Sequence, residues 1–169
     1  TAANLEVEII GRTLPDEIVV VGAHYDGFSS VPAANDNGSG TAAALALAEH
    51  FVEHACDRTL RFVFFVNEEP PHFQRESMGS LVYARACAER KEDVRAMWSL
   101  ETLGYYSDEA GSQSYPMGAL KLFYPDRGDF IAFVGNLNSM GFVRKTVGSF
   151  REVADFPSEA AALPGAIAG

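Results

Sequence analysis

The stretch that most limits how this chain can fold is the apolar run Ile18-Val19-Val20-Val21-Gly22-Ala23, which ends in His24-Tyr25-Asp26. A run apolar on both faces predicts a strand buried on both sides, and so a central strand of a layered α/β domain. A loop over Pro32 to Asn37 follows, and Gly38-Ser39-Gly40-Thr41 then opens a helix through about His50 or Phe51. The small residues Ala42 to Ala48 let that helix start close to the strand tips. Its N-terminal amides and dipole favour a nearby anion such as Asp36. His24 and Asp26 share one face of an extended chain, so Asp26 is placed to bond one imidazole nitrogen and leave the other for a metal. Taken alone, His-x-Asp reads more simply as a polar strand end, and the loop as an Asx turn with a helix cap. The functional reading needs partners.

Two later segments supply them. Arg61-Phe62-Val63-Phe64-Phe65-Val66-Asn67 ends in the adjacent carboxylates Glu68-Glu69, and Ser99-Leu100 leads to Glu101. Three strands that each finish in acids would be costly uncompensated, because like charges repel in a low dielectric. A divalent cation relieves the cost. One His with several carboxylates suits zinc, with manganese or cobalt as alternatives.

Length and charge narrow the class. The 169 residues suffice for one α/β domain with a sizeable core, and one domain over 1–169 is the expectation. The formal net charge is −10, which argues against nucleic acid or an anionic membrane as the main partner. No apolar run is long enough to span a bilayer. Cys56 and Cys87 lie in predicted helices outside any Cys-x-x-Cys motif and read as core or surface thiols.

The remaining segments complete the predicted order. Leu5 to Ile10 alternates apolar and acidic residues, predicting a half-exposed strand, and Gly11 to Glu17 reads as the turn of a hairpin joining it to the next. Leu60 to Val66 and Ala96 to Leu103 are the third and fourth strands. Pro70 to Met78 is irregular, and Gly79 to about Lys91 is a helix. Gly104 to Leu120 reads as a long loop, Leu122 to Tyr124 as a short strand, and Phe130 to Val134 as a strand or first helical turn. Ser139 to Val153 is an amphipathic helix, and Ala160 to Gly169 is small and featureless. Alternating strands and helices imply a three-layer α/β fold, with a mixed, mostly parallel sheet and helices on both faces. The acids gather at the carboxyl ends of the strands, the usual ligand edge.

Together, His24-Tyr25-Asp26, Ala34-Asn35-Asp36-Asn37-Gly38-Ser39-Gly40, Phe64-Phe65-Val66-Asn67-Glu68-Glu69, Gly79-Ser80 and Leu100-Glu101-Thr102-Leu103-Gly104-Tyr105 resemble the twenty-eighth family of metallopeptidases. These are aminopeptidase-type zinc exopeptidases with two co-catalytic metals. The resemblance runs from about Leu5 to Leu163 and implies a hydrolase of peptide substrates. It implies that His24 ligates one zinc with Asp26 behind it, that Asp36 bridges both metals, and that Glu68 is the general base. It further implies that Glu69 ligates the second zinc and Glu101 the first, where Asp is the commoner residue. A cis peptide joining Asp36 to Asn37 is part of the same expectation.

The chain also departs from the pattern. The family's last metal-binding His lies beyond the final helix, and none of the four histidines, His24, His50, His54 and His72, follows Glu101. His50 and His54 are one helical turn apart and read as surface residues, and His72 as part of a loop. The expectation is a chain incomplete at its C-terminus and also at its N-terminus, inactive by itself, with partial or empty metal occupancy and a self-association contact on the uncovered surface. Phe73, Tyr105 and Tyr106 are placed either to wall a side-chain pocket or to pack ordinarily. The rival activities are a glutaminyl-peptide cyclotransferase, which uses one zinc on a similar scaffold, and a non-catalytic binding module.

Overall fold

The computed structural model describes residues 2–115 and 117–164, and the last residues of the tail expected to be featureless, 165–169, lie outside them. The chain divides into two compact units that meet in sequence at Tyr105 and Tyr106. The first is built on strands β1 (Leu5–Ile9), β2 (Leu14–His24), β3 (Arg58–Phe65) and β4 (Asp93–Ser99), with helices α1 (Gly38–Glu53) and α2 (Gly79–Arg90). Sheet order is β1-β3-β2-β4, with β2 parallel to both neighbours and β1 antiparallel to β3. The predicted mixed, mostly parallel sheet is therefore present.

Side-chain alternation makes this unit three layers. From β2 and β3, Ala23, Leu60, Phe62 and Phe64 pack with Ala44 and Ala48 of α1, and Val19 and Val21 join them. The opposite faces, Ile18, Val20, Val63 and Phe65, pack with Tyr83 of α2. Phe62 and Val63, both fully buried, thus belong to different layers. On the α2 side Arg61 donates to Glu8 at 2.6 Å and to Glu92 at 2.9 Å, and Tyr83 donates to Glu6 at 2.5 Å. These contacts account for the acids that alternate along β1.

One expectation is corrected. β1 and β2 do not form a hairpin, because β3 lies between them and takes the hydrogen bonds of both. The connection crosses the start of β3 instead. Gly11 donates to the Thr59 hydroxyl at 3.0 Å, that hydroxyl donates to the Pro15 carbonyl at 2.8 Å, and Leu14 donates to the Asp57 carbonyl at 2.8 Å. A side chain at Gly11 would meet the backbone of Asp57 to Thr59. Local turn chemistry at Gly11 to Glu17 is thus used for crossing, and long-range pairing decides the topology.

The second unit holds β5 (Ile131–Asn136) and β6 (Ser158–Leu163), parallel and joined through α3 (Met140–Val153). Phe133 packs on Phe150, with ring centroids 5.2 Å apart, and Val143 and Val147 of α3 are buried. Two readings are corrected here. Leu122 to Tyr124 is no strand: a 3-10 turn spans Gly118–Leu122, and Tyr124 donates its backbone N–H to Leu120. Ala160 to Leu163, read as featureless, lies in β6. Alanine has weak strand preference, and pairing with β5 plus packing under α3 outweighs it. Among the described residues no helix is long and apolar enough to cross a membrane.

Candidate metal centre

The strand order places the functional loops. From β2 the chain crosses to β3 through α1, then passes back over β2 to β4 through α2, so the direction of winding reverses at β2. Such a switch point opens a crevice at the carboxyl ends of the strands. His24 is the last residue of β2, Glu68 and Glu69 follow β3, and Glu101 follows β4.

His24 is 3% exposed, and its ring nitrogens meet different surroundings. Nδ1 lies 3.1 Å from the Asp26 carbonyl oxygen, an acceptor, so the Nδ1 proton is satisfied there. Nε2 faces carboxylates alone: Asp36 at 3.1 Å, Glu101 at 3.3 Å and Glu68 at 3.7 Å. A lone pair aimed at three acceptors is unsatisfied unless a cation occupies the position. Ligand atoms of His24, Asp36 and Glu101 all fall within 4.8 Å of one another, a set that one ion can gather. Without an ion the proton plays that part. Burial lowers the His24 pKa, but the hydrogen bond and charge of Glu101 and the charge of Glu68 outweigh it and lift the value to about 9. The donor set, one imidazole and oxygen anions, fits zinc.

Asp26 does something the sequence did not suggest. Its carboxylate stands 3.6 Å from His24 Nδ1, farther than its own carbonyl, and instead accepts the backbone N–H groups of Glu68 at 3.2 Å and Glu69 at 3.1 Å. It therefore ties the loop carrying both acids to the end of β2, where His24 lies. Just before them Asn67 takes a left-handed φ of 60° and donates its side chain to the Ser77 carbonyl at 3.1 Å. Adjacent residues of a regular strand point to opposite faces. The turn at Asn67 breaks that alternation, and Asn tolerates it better than a branched residue.

Burial raises the Glu68 pKa; the His24 charge opposes this, and Glu101, Glu69 and Asp26 push it further up. Glu69 is half-buried beside it, outside the convergent set of His24, Asp36 and Glu101. The structure thus gathers His24, Asp36 and Glu101, brings Glu68 to their edge, and holds Glu69 by its backbone.

A ladder of side chains fixes the two remaining loops. Asn35, Asn37 and Ser39, at alternate positions, accept backbone N–H groups from Gly104 at 2.8 Å, Thr102 at 3.3 Å and Leu103 at 2.9 Å. Thr102 takes a φ of 47°, costly for a β-branched residue and held by this ladder. Thr41 adds a bond from its hydroxyl to the His24 carbonyl at 2.9 Å. In the sequence, Asn35, Asn37 and Ser39 read as part of an Asx turn, a helix start and the family motif, with no partner assigned to their side chains. Their alternation was the available signal. The Asp36–Asn37 peptide is cis, as the resemblance implies.

The other candidates sit apart from this group. His50 and His54 stack at 4.3 Å at the end of α1, and His72 bonds Ser77 within its loop at 2.8 Å. Phe73 and Tyr105 are exposed, while Tyr106 packs edge-on against Phe156.

Comparison with known proteins bears on the family and the fold. YfbL of Escherichia coli K12, an uncharacterized protein, is 38% identical over 160 residues, covering 90% of this chain and 49% of that protein. The probable aminopeptidase YDR415C of Saccharomyces cerevisiae is 32% identical over 118 residues, covering 62% of this chain and 30% of that protein. The chain thus spans about half or less of these relatives' length. LapB of Legionella pneumophila shares the fold with a TM-score of 0.67 at 19% identity, over 91% of this chain and 37% of that one. BSAP, a zinc aminopeptidase from Bacillus subtilis, matches at 0.53 and 22%, over 93% and 39%. An Acidobacteriales glutaminyl cyclase matches at 0.54 and 18%, over 94% and 51%. The sequence model of peptidase family M28 matches residues 4–144, which include every residue of the cluster around His24. The chain belongs to peptidase family M28.

Proposed function

We propose that the complete protein is an aminopeptidase, releasing N-terminal residues from peptides, with zinc held by His24, Asp36 and Glu101 and a second ion taking Asp36 and Glu69. The observation that carries this reading is His24 Nε2, buried and facing three carboxylates. Similarity to the probable aminopeptidase YDR415C and to the zinc aminopeptidase BSAP supports the same class. When bound, zinc supplies a polarised carbonyl and a more acidic water, which amide hydrolysis near neutral pH requires.

The protein's residues do the rest. Glu68 stands 3.7 Å from Nε2, at the rim of the ligand set and outside it, where its carboxylate is free to exchange a proton with a group held there. It takes the proton from the attacking water and passes it to the leaving amine. Asp26 holds Glu68 and Glu69 by their backbones, so the base keeps its place through turnover. The helix α1 N-terminus, capped by Asn37, adds a positive dipole beside the carboxylates.

The test is hydrolysis of aminoacyl p-nitroanilides by the full-length protein, before and after metal stripping, alongside an N-terminal Gln peptide. Zinc-dependent release of the N-terminal residue is expected. Conversion of Gln to pyroglutamate without hydrolysis would assign the cyclase reaction instead, and no metal with no turnover would leave a binding module.

A further inference from the structure

Asn37 is 1% exposed and all four hydrogen-bonding positions of its side chain are used. Oδ1 accepts from the backbone of Gly40 at 3.0 Å and Thr102 at 3.3 Å. Nδ2 donates to the Leu100 carbonyl at 2.8 Å and to Glu101 Oε2 at 3.2 Å. The amide can sit only this way round, since rotating it would set oxygen against oxygen and N–H against N–H at every contact. One buried amide therefore joins the cap of α1, the exit of β4 and a carboxylate of the proposed zinc site.

The consequence falls on Glu101, whose side chain is 46% exposed and would otherwise swing freely. Asn37 takes Oε2, and Oε1 is left 3.3 Å from His24 Nε2, within the ligand set. We propose that Asn37 is a positioning residue: it divides the two oxygens of Glu101, one held by the protein and one offered to zinc. The inference rests on the aminopeptidase reading only in taking zinc as the ion. A longer acid than Asp needs such an anchor, because each added rotatable bond must be fixed before the ligand is organised. Glycine at position 40 belongs to the same construction, since a Cβ there would strike the Leu100 carbonyl and the Asn37 side chain.

Asn37→Asp keeps the size and both acceptor bonds but removes the donors. The experiment measures zinc affinity by competition with a chromophoric chelator in the full-length protein, for wild type, Asn37→Asp, Glu101→Gln and the double variant. Urea unfolding of the metal-stripped forms runs in parallel. Asn37→Asp is expected to weaken zinc about 10–100-fold, the range for loss of a residue that orients a ligand. The double variant is expected to bind no more than about threefold weaker than Glu101→Gln alone, because both changes act on one ligand. Asn37→Ser, which keeps a cap acceptor and loses the amide NH2 that reaches Leu100 and Glu101, carries the same expectation should Asn37→Asp not fold. Wild-type zinc affinity in these variants, or losses that multiply in the double variant, would overturn the inference and leave the aminopeptidase reading standing. Failure of the wild type to bind zinc would overturn both.

Discussion

Replacing Asp26 by Asn probes the joint between the end of β2 and the Glu68 loop. The carboxylate accepts two backbone N–H groups, one on each oxygen, at 3.2 and 3.1 Å. In Asn one of these oxygens becomes an NH2 group that confronts an N–H, and the other bond loses its charge. A hydrogen bond to a charged group contributes about 1.5–3 kcal/mol, and these bonds lie at the weak end by length. The Asp26 side chain is 23% exposed, so solvent screens part of the loss. The net cost is about 1.5–2.5 kcal/mol, which corresponds to a fall in Tm of about 3–10 °C for a domain of this size. Freed from the clamp, Glu68 and Glu69 wander, and kcat/KM is expected to drop about 10–100-fold. Thermal unfolding and aminoacyl p-nitroanilide kinetics on the full-length protein measure both. Unchanged Tm and unchanged kcat/KM would refute the clamp.

Glu68→Gln removes the proposed proton carrier and no member of the ligand set, so turnover should fall by about 10²–10⁴ while zinc content holds; joint loss of metal and activity would mean that Glu68 and Glu69 exchange roles. Gly40→Ala should cost about 2–3 kcal/mol in urea unfolding, because its Cβ meets the Leu100 carbonyl, whereas Gly148→Ala, with open space in mid-α3, should gain about 0.5–1 kcal/mol. If both behave alike, close approach of α1 to β4 is not what selects glycine at 40. Acid stability should follow Glu92, held down to about 2 by hydrogen bonds from Arg90 and then Arg61. Its folded pKa lies below its unfolded value, so its contribution, up to about 3 kcal/mol, is complete above pH about 4.5 and lost as pH falls towards 2. Glu92→Gln should flatten that limb of a stability–pH curve, and an unchanged limb would assign acid unfolding to other groups.

What was legible in the sequence was what local pattern controls. Apolar runs at Ile18 to Ala23 and Arg61 to Val66 could only be buried strands, and an acid or His at the end of each pointed to the carboxyl edge. The β1–β3 pairing was not legible, because Gly11 and Thr59 meet across 48 positions and nothing near Gly11 shows it. β6 was missed because alanines carry little preference and gain their strand from β5. The same limit hid the site's supports. Asp26 looked like a partner for His24 by its i+2 spacing, yet its carboxylate reaches amides more than 40 positions away. Asn35, Asn37 and Ser39 looked like turn formers because that is their commonest use, while their targets lie on another strand's exit.

The most direct test of the central claim is an anomalous difference map recorded at the zinc edge from crystals of the full-length protein grown with zinc. The account predicts a peak bounded by His24 Nε2, Asp36 Oδ1 and Glu101 Oε1, with Glu101 Oε2 still held by Asn37. A fully active enzyme with no peak there, or with zinc bound elsewhere, would contradict it.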